Sequence, residues 1–210
     1  MSEIAEIVPG VFHWSALHPG IGQTVHSHYV RDAAAVLDPM VPEGVIDQLA
    51  GRSAPDRILL TNRHHYRQSD TLVAEFGSTV LCPESGLHEF EPGSKVEGYA
   101  YGEEVAPGIT AHEVGAICPD DAALHIDAGD GLLAFADGLI RWQGELTFVP
   151  DFLLGDDPEA VKRGLAESLR RLTELQFDGL LFAHGEPLLG GARQALIGFV
   201  ESPRTAEFSV

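Results

Sequence analysis

Three observations predict an α/β fold for this chain. A short apolar run, Ile58 to Leu60, ends abruptly in a polar loop, and a helical stretch and a second apolar run, Thr79 to Cys82, follow it. That succession of strand, loop, helix and strand is a parallel α/β unit. From Glu91 to Gly138, Gly and Pro punctuate short alternating runs in the manner of antiparallel strands. Beyond them, an amphipathic stretch opening at Asp157 feeds the buried run Gly179 to Ala183.

Composition bounds the rest. With 210 residues and 44% hydrophobic content, the chain suffices for one well-cored domain over 1–210. The formal net charge is −19, and Lys95 and Lys162 are the only lysines. Such a surface repels phosphate backbones and anionic membranes, which argues against nucleic acid and membrane partners and leaves a small-molecule ligand. Nothing in the sequence speaks to oligomeric state. Residues Met1 to Glu6 show no positive n-region and no apolar h-region, and nowhere do eighteen apolar residues run together, so a cytoplasmic protein is expected. Cys82 and Cys118 lack any paired spacing and read as buried free thiols.

Taken in order, Ile7 to Ala16 and Gln23 to Met40 read as strands around the turn-rich His18 to Gly22. His26 and His28, two apart, share a strand face and read as ordinary strand histidines. Pro42 to Ala50 carries helix signals, with Val45, Ile46 and Leu49 at helical spacing. Ser69 to Phe76 reads as a helix capped by Ser69 or Asp70 and closed by Gly77. Asp157 and Pro158 form a cap and first turn ahead of the stripe Val161, Leu165, Leu169 and Leu172. Ala192 to Glu201 closes the chain as a further helix.

The loop after Leu60 holds Asn62, His64, His65, Tyr66 and Arg67, where open α/β sheets place ligands. Anchored on Thr61, it resembles the Thr-His-x-His-x-Asp-His motif of the metallo-β-lactamase superfamily. Asn62, Tyr66 and Arg67 then stand at three ligand positions, and His64 alone keeps its place. The resemblance extends along the chain. Val36 to Pro39 is similar to the Val-Leu-Ile-Asp-Pro segment, with Asp38 at its aspartate. Ala111, His112 and Gly115 match the Gly-His-Thr-x-Gly-His frame, although Ala116 takes the ligand position. Ala136 to Leu139 is similar to Gly-Asp-Ala-Leu, which keeps the metal-bridging carboxylate as Asp137, and His184-Gly185 is similar to the final Gly-His-Gly turn.

The resemblance implies a four-layer αββα sandwich of the metallo-β-lactamase type. Its pocket would be lined by Asn62, His64, His65, Tyr66, Arg67, His112, Asp137 and His184. With more ligands replaced than kept, it implies no resident cofactor, or a single zinc or iron ion on His64, Asp137 and His184, with His65 and His112 as substitutes. An always-charged guanidinium at Arg67 is expected to pair with Asp137 in place of metal charge. Two functions stay open: a non-catalytic, ligand-binding member, which the replaced ligands favour, and a hydrolase of a small ester, thioester or lactone using one atypically bound ion.

Overall fold

The computed structural model describes residues 3–202. In the first half lie strands β1 (Ala5–Val8), β2 (Val11–His18), β3 (Gln23–Val30) and β4 (Ala35–Leu37), helix α1 (Val45–Ala50), strand β5 (Arg57–Leu59), helix α2 (Ser69–Phe76) and strands β6 (Thr79–Pro83) and β7 (Val96–Tyr99). The second half continues with β8 (Glu104–Ala106), β9 (Ile109–Glu113), β10 (Ala122–Ile126), β11 (Leu132–Phe135), β12 (Ile140–Trp142) and β13 (Glu145–Thr147). It ends with helix α3 (Pro158–Leu172), strands β14 (Gly179–Phe182) and β15 (Leu188–Leu189), and helix α4 (Ala192–Glu201).

Strands β1 to β7 form one sheet in sequence order, antiparallel from β1 to β4 and parallel from β4 to β7. The second sheet runs β15-β14-β11-β10-β9-β8, with β11 and β14 parallel, and β12 and β13 form a separate ribbon. Hydrophobic sorting explains the layering. Val11, Leu37, Leu59, Leu124, Ala134 and Leu181 meet between the sheets. Val45, Leu49 and Leu72 from α1 and α2 pack on Trp14, Tyr29 and Ile58 outside the first sheet, while Leu165, Leu169 and Leu196 from α3 and α4 cover Leu133 and Phe135 outside the second. These are the four expected layers.

Local signals set the helices. Asp157 Oδ1 accepts from Ala160 N at 2.9 Å and caps α3. Gly77, at φ 72°, ends α2 in the left-handed conformation that glycine adopts without strain. Helix α1 begins only at Val45, later than its sequence signals suggest, because Gly44 at φ 88° breaks the first turn. Cys82 is buried as expected, but Cys118 is only half-buried. Among the described residues, no helix is long and apolar enough to cross a membrane.

Candidate functional site

Three strand ends converge at one edge of the sandwich: the loop after β5, the segment after β11, and the turn after β14. The β5 loop begins at Thr61, whose backbone N and Oγ1 donate to Asp38 Oδ1 and Oδ2 at 2.8 and 2.5 Å. Asn62 then caps a 3-10 turn over Arg63–Tyr66, its Oδ1 accepting from His64 N at 2.9 Å. The other end of the same amide donates to Asp137 Oδ2 at 2.8 Å. Asn62 therefore ties the turn to the second sheet at the place where the family motif has a ligand.

Within the turn, His65 faces inward and His64 faces solvent. His65 Nδ1 lies 3.1 Å from Asp38 Oδ2 and 3.0 Å from Thr61 Oγ1, which fixes the ring and points Nε2 at Asp137 Oδ1, 3.5 Å away. His184 Nε2 reaches the same oxygen at 3.1 Å. Each of His65, Asp137 and His184 offers a donor atom within 4.8 Å of the other two. The expected trio thus changes by one residue, with His65 in the place expected of His64.

The other expected residues separate. Tyr66 turns outward and donates its hydroxyl to Asp70 Oδ1 at 2.6 Å. His112 pairs with Ala123, whose face of the second sheet lies against α3 and α4, and its ring meets His125. The expected ion pair between Arg67 and Asp137 does not form. Arg67 Nη1 donates to the carbonyls of His26 and Asp38 at 2.9 and 2.8 Å, and Nη2 to that of Ala183 at 3.4 Å. Its fork is spent on backbone that no side-chain pattern reveals.

Charge in this network balances by coupling. Burial alone would lower His65, but Asp38, aided by Asp137, overcomes it and raises His65 to about 9. Burial would raise Asp38 and Asp137, yet His65 holds Asp38 below and Asp137 well below the usual carboxylate range. Two carboxylates therefore face His65 and Arg67, both cationic. Asp121 behaves oppositely. Fully buried next to Asp137, it is pushed well above the carboxylate range, and its Oδ1 accepts from Asp137 N at 3.2 Å while Oδ2 has no hydrogen-bond partner among the described residues.

Sequence reading missed Asp120, Asp121 and Arg63. Asp120 is buried, accepts from Arg63 N at 2.8 Å and pairs with the Arg63 guanidinium, pinning the turn to the loop before β10. The consecutive acids at 120 and 121, in an otherwise apolar approach to β10, were the available signal. Gly138 follows from the same crowding, since a Cβ there would run into Asp121 Oδ2 and Val114 Cγ1. Two surface depressions lie at the other end of β5 and β6, lined by residues such as Asp56, Gly77, Thr79 and Glu97, and contain none of these side chains.

The donor set fits one ion. Two imidazoles and a carboxylate suit zinc or iron, and the hydrogen bond behind His65 is the kind that orients a ligating histidine. A second ion does not fit, because Asn62 holds Asp137 Oδ2 and Arg67 stands behind the site.

No protein-family model matches the chain, and no curated protein matches it significantly. Solved structures do. A B3 metallo-β-lactamase with an active-site glutamic acid superposes with TM-score 0.66 at 14% identity, over 98% of this chain and 88% of that one. A metallo-β-lactamase family protein from Thermus thermophilus gives 0.65 at 18%, over 93% and 79%. A flavodiiron core from Synechocystis sp. PCC6803 gives 0.64 at 13%, over 99% of this chain but 60% of that one. Sheet order, layering and these superpositions agree: the chain has the metallo-β-lactamase fold.

Proposed function

We propose that the chain is a small-molecule-binding protein on a hydrolase-type fold, in which His65, Asp137 and His184 together hold one zinc or iron. The observation that carries this reading is the convergence of His65 Nε2 and His184 Nε2 on Asp137 Oδ1, at 3.5 and 3.1 Å. Those spacings bracket the edge of about 3.3 Å that metal bonds of about 2.05 Å make at a tetrahedral centre. When bound, the ion supplies Lewis acidity toward an oxygen-bearing ligand. The chain's own residues do the rest. Asp38 orients His65, Asn62 holds the far oxygen of Asp137 away from a second ion, and Arg67 fixes Ala183 beside His184.

Hydrolysis of a small ester, thioester or lactone is the second reading. It is favoured by the side chains of Asp137 and His184, which are 25% and 19% exposed and leave the open face of the trio toward solvent. Metal content after zinc loading tests the first reading: Asp137→Asn and His65→Gln should each carry one ion fewer per chain than wild type, and His64→Gln the same number. Equal content in all four proteins would overturn it. A panel of simple esters, thioesters and lactones, assayed with and without chelator, tests the second, and chelator-sensitive turnover would replace the binding reading with hydrolysis.

A further inference from the structure

A second group of metal-type donors lies on the first sheet. In the β2–β3 hairpin, His13 sits opposite His28 and Ser15 opposite His26, so His13, His26 and His28 share one face. The pair Val11 and Val30, two residues along, belongs to the core between the sheets, which places the three imidazoles on the inner face. His13 Nε2 lies 2.8 Å from His26 Nδ1, in rings only 9° from parallel. The turn that carries His184 continues to Glu186, whose Oε2 is 4.0 Å from His13 Nε2.

We propose that His13, His26 and Glu186 form a second divalent-cation site, separate from the trio of His65, Asp137 and His184. The three offer ligand atoms within 4.8 Å of one another. Nitrogens at 2.8 Å need open only to about 3.3 Å for both to reach a tetrahedral zinc at about 2.05 Å. Glu186, 68% exposed, has the freedom to close the remaining distance, and its side faces water for a fourth ligand. The arrangement is therefore buried on its histidine side and open on its carboxylate side.

Core packing alone does not account for this wall of imidazoles. Apolar side chains would fill the face without polar atoms to satisfy, and His28 Nε2, fully buried beside His13, has no hydrogen-bond partner among the described residues. Burial, reinforced by neighbouring imidazoles, lowers His26 to about 3, and burial lowers His13 against the pull of Glu186. Both rings are thus neutral at physiological pH, the form in which imidazole ligates metal. The site favours borderline cations such as zinc, cobalt(II) or nickel(II) over calcium or magnesium, which prefer oxygen.

The test uses the full chain, stripped by chelator and then equilibrated with zinc, comparing wild type, Glu186→Gln, His26→Gln and Asp137→Asn. Bound zinc is measured across a concentration series, and the histidine ring nitrogens are followed by 15N NMR. In wild type, zinc should shift the nitrogens of His13 and His26. Glu186→Gln, a change at an exposed position, should weaken one binding step at least tenfold, and folded His26→Gln should lose one equivalent. Asp137→Asn should keep the His13 and His26 response, so this site and the trio fail independently. The proposal is overturned if His13 and His26 nitrogens do not move at saturating zinc, or if Glu186→Gln binds zinc as wild type does.

Discussion

Asp38 and His65, 27 positions apart, meet at 3.1 Å between Oδ2 and Nδ1, and this contact decides which of two adjacent histidines enters the site. Asp38 holds the contact from a left-handed backbone, φ 47°, a conformation that costs a non-glycine residue about 1 kcal/mol or more. Asp38→Asn removes the buried charge that balances His65. It should lower unfolding free energy by about 3 kcal/mol and weaken zinc binding by about 10-fold or more. Urea unfolding and zinc titration of the same variant read both effects.

The two histidines should behave very differently on truncation. His64→Ala removes a solvent-facing side chain and should change stability by no more than about 0.5 kcal/mol. His65→Ala leaves Asp38 and Asp137 without their shared cation and should cost about 3 to 5 kcal/mol. Similar melting temperatures for the two variants would contradict the assignment of His65 to the interior.

Arg67 offers a test of geometry against charge. Lysine keeps the positive charge but lacks the planar fork that reaches the carbonyls of His26, Asp38 and Ala183 together. Arg67→Lys should therefore destabilise by about 1 to 3 kcal/mol, beyond the value of an exposed ion pair. Thermal unfolding of Arg67→Lys beside Arg67→Ala would show whether charge alone rescues the site, which this arrangement says it does not.

Acid should unfold the protein early. His13, His26 and His28 all have folded-state values below 6.5, so below that pH the unfolded chain binds more protons than the folded one. The contribution of these three groups is complete above about 6.5 and falls as pH drops, by up to about 1.4 kcal/mol per pH unit for each neutral histidine, whereas that of His65, raised to about 9, is complete below 6.5 and is lost as pH rises through 9. His28→Leu removes one such proton and a buried nitrogen that has no hydrogen-bond partner among the described residues, so its stability should fall less steeply between pH 6 and 5 than that of wild type. Chemical denaturation at several pH values gives the two slopes.

The fold was legible because its signals are periodic and local. The α3 stripe, the apolar β5 run and the glycine that ends α2 each state an element within a few residues. Asp137 and His184 were legible too, since each stands two residues past a buried strand in a segment that resembles a ligand turn of the metallo-β-lactamase superfamily. The choice of His65 over His64 was not, because neighbours in a 3-10 turn point about 120° apart and only a distant carboxylate selects between them. Arg67 was misread for a related reason, its partners being carbonyls with no side-chain signature. His13 and His26 become neighbours only through hairpin register, which the turn between β2 and β3 fixes.

The amide of His26 donates across the sandwich to Ala183 O at 3.0 Å, from a stretch of β3 where β4 has already ended. Most inter-sheet contact in such a sandwich is side chain on side chain, which loosens by degrees. A main-chain link between the layers is either made or broken. Deuterium uptake at this one amide should therefore report separation of the layers, slow in the native protein and rising only with the opening that also frees Arg67. Ligand entry that left this proton protected would have to proceed with the two layers still joined at His26 and Ala183.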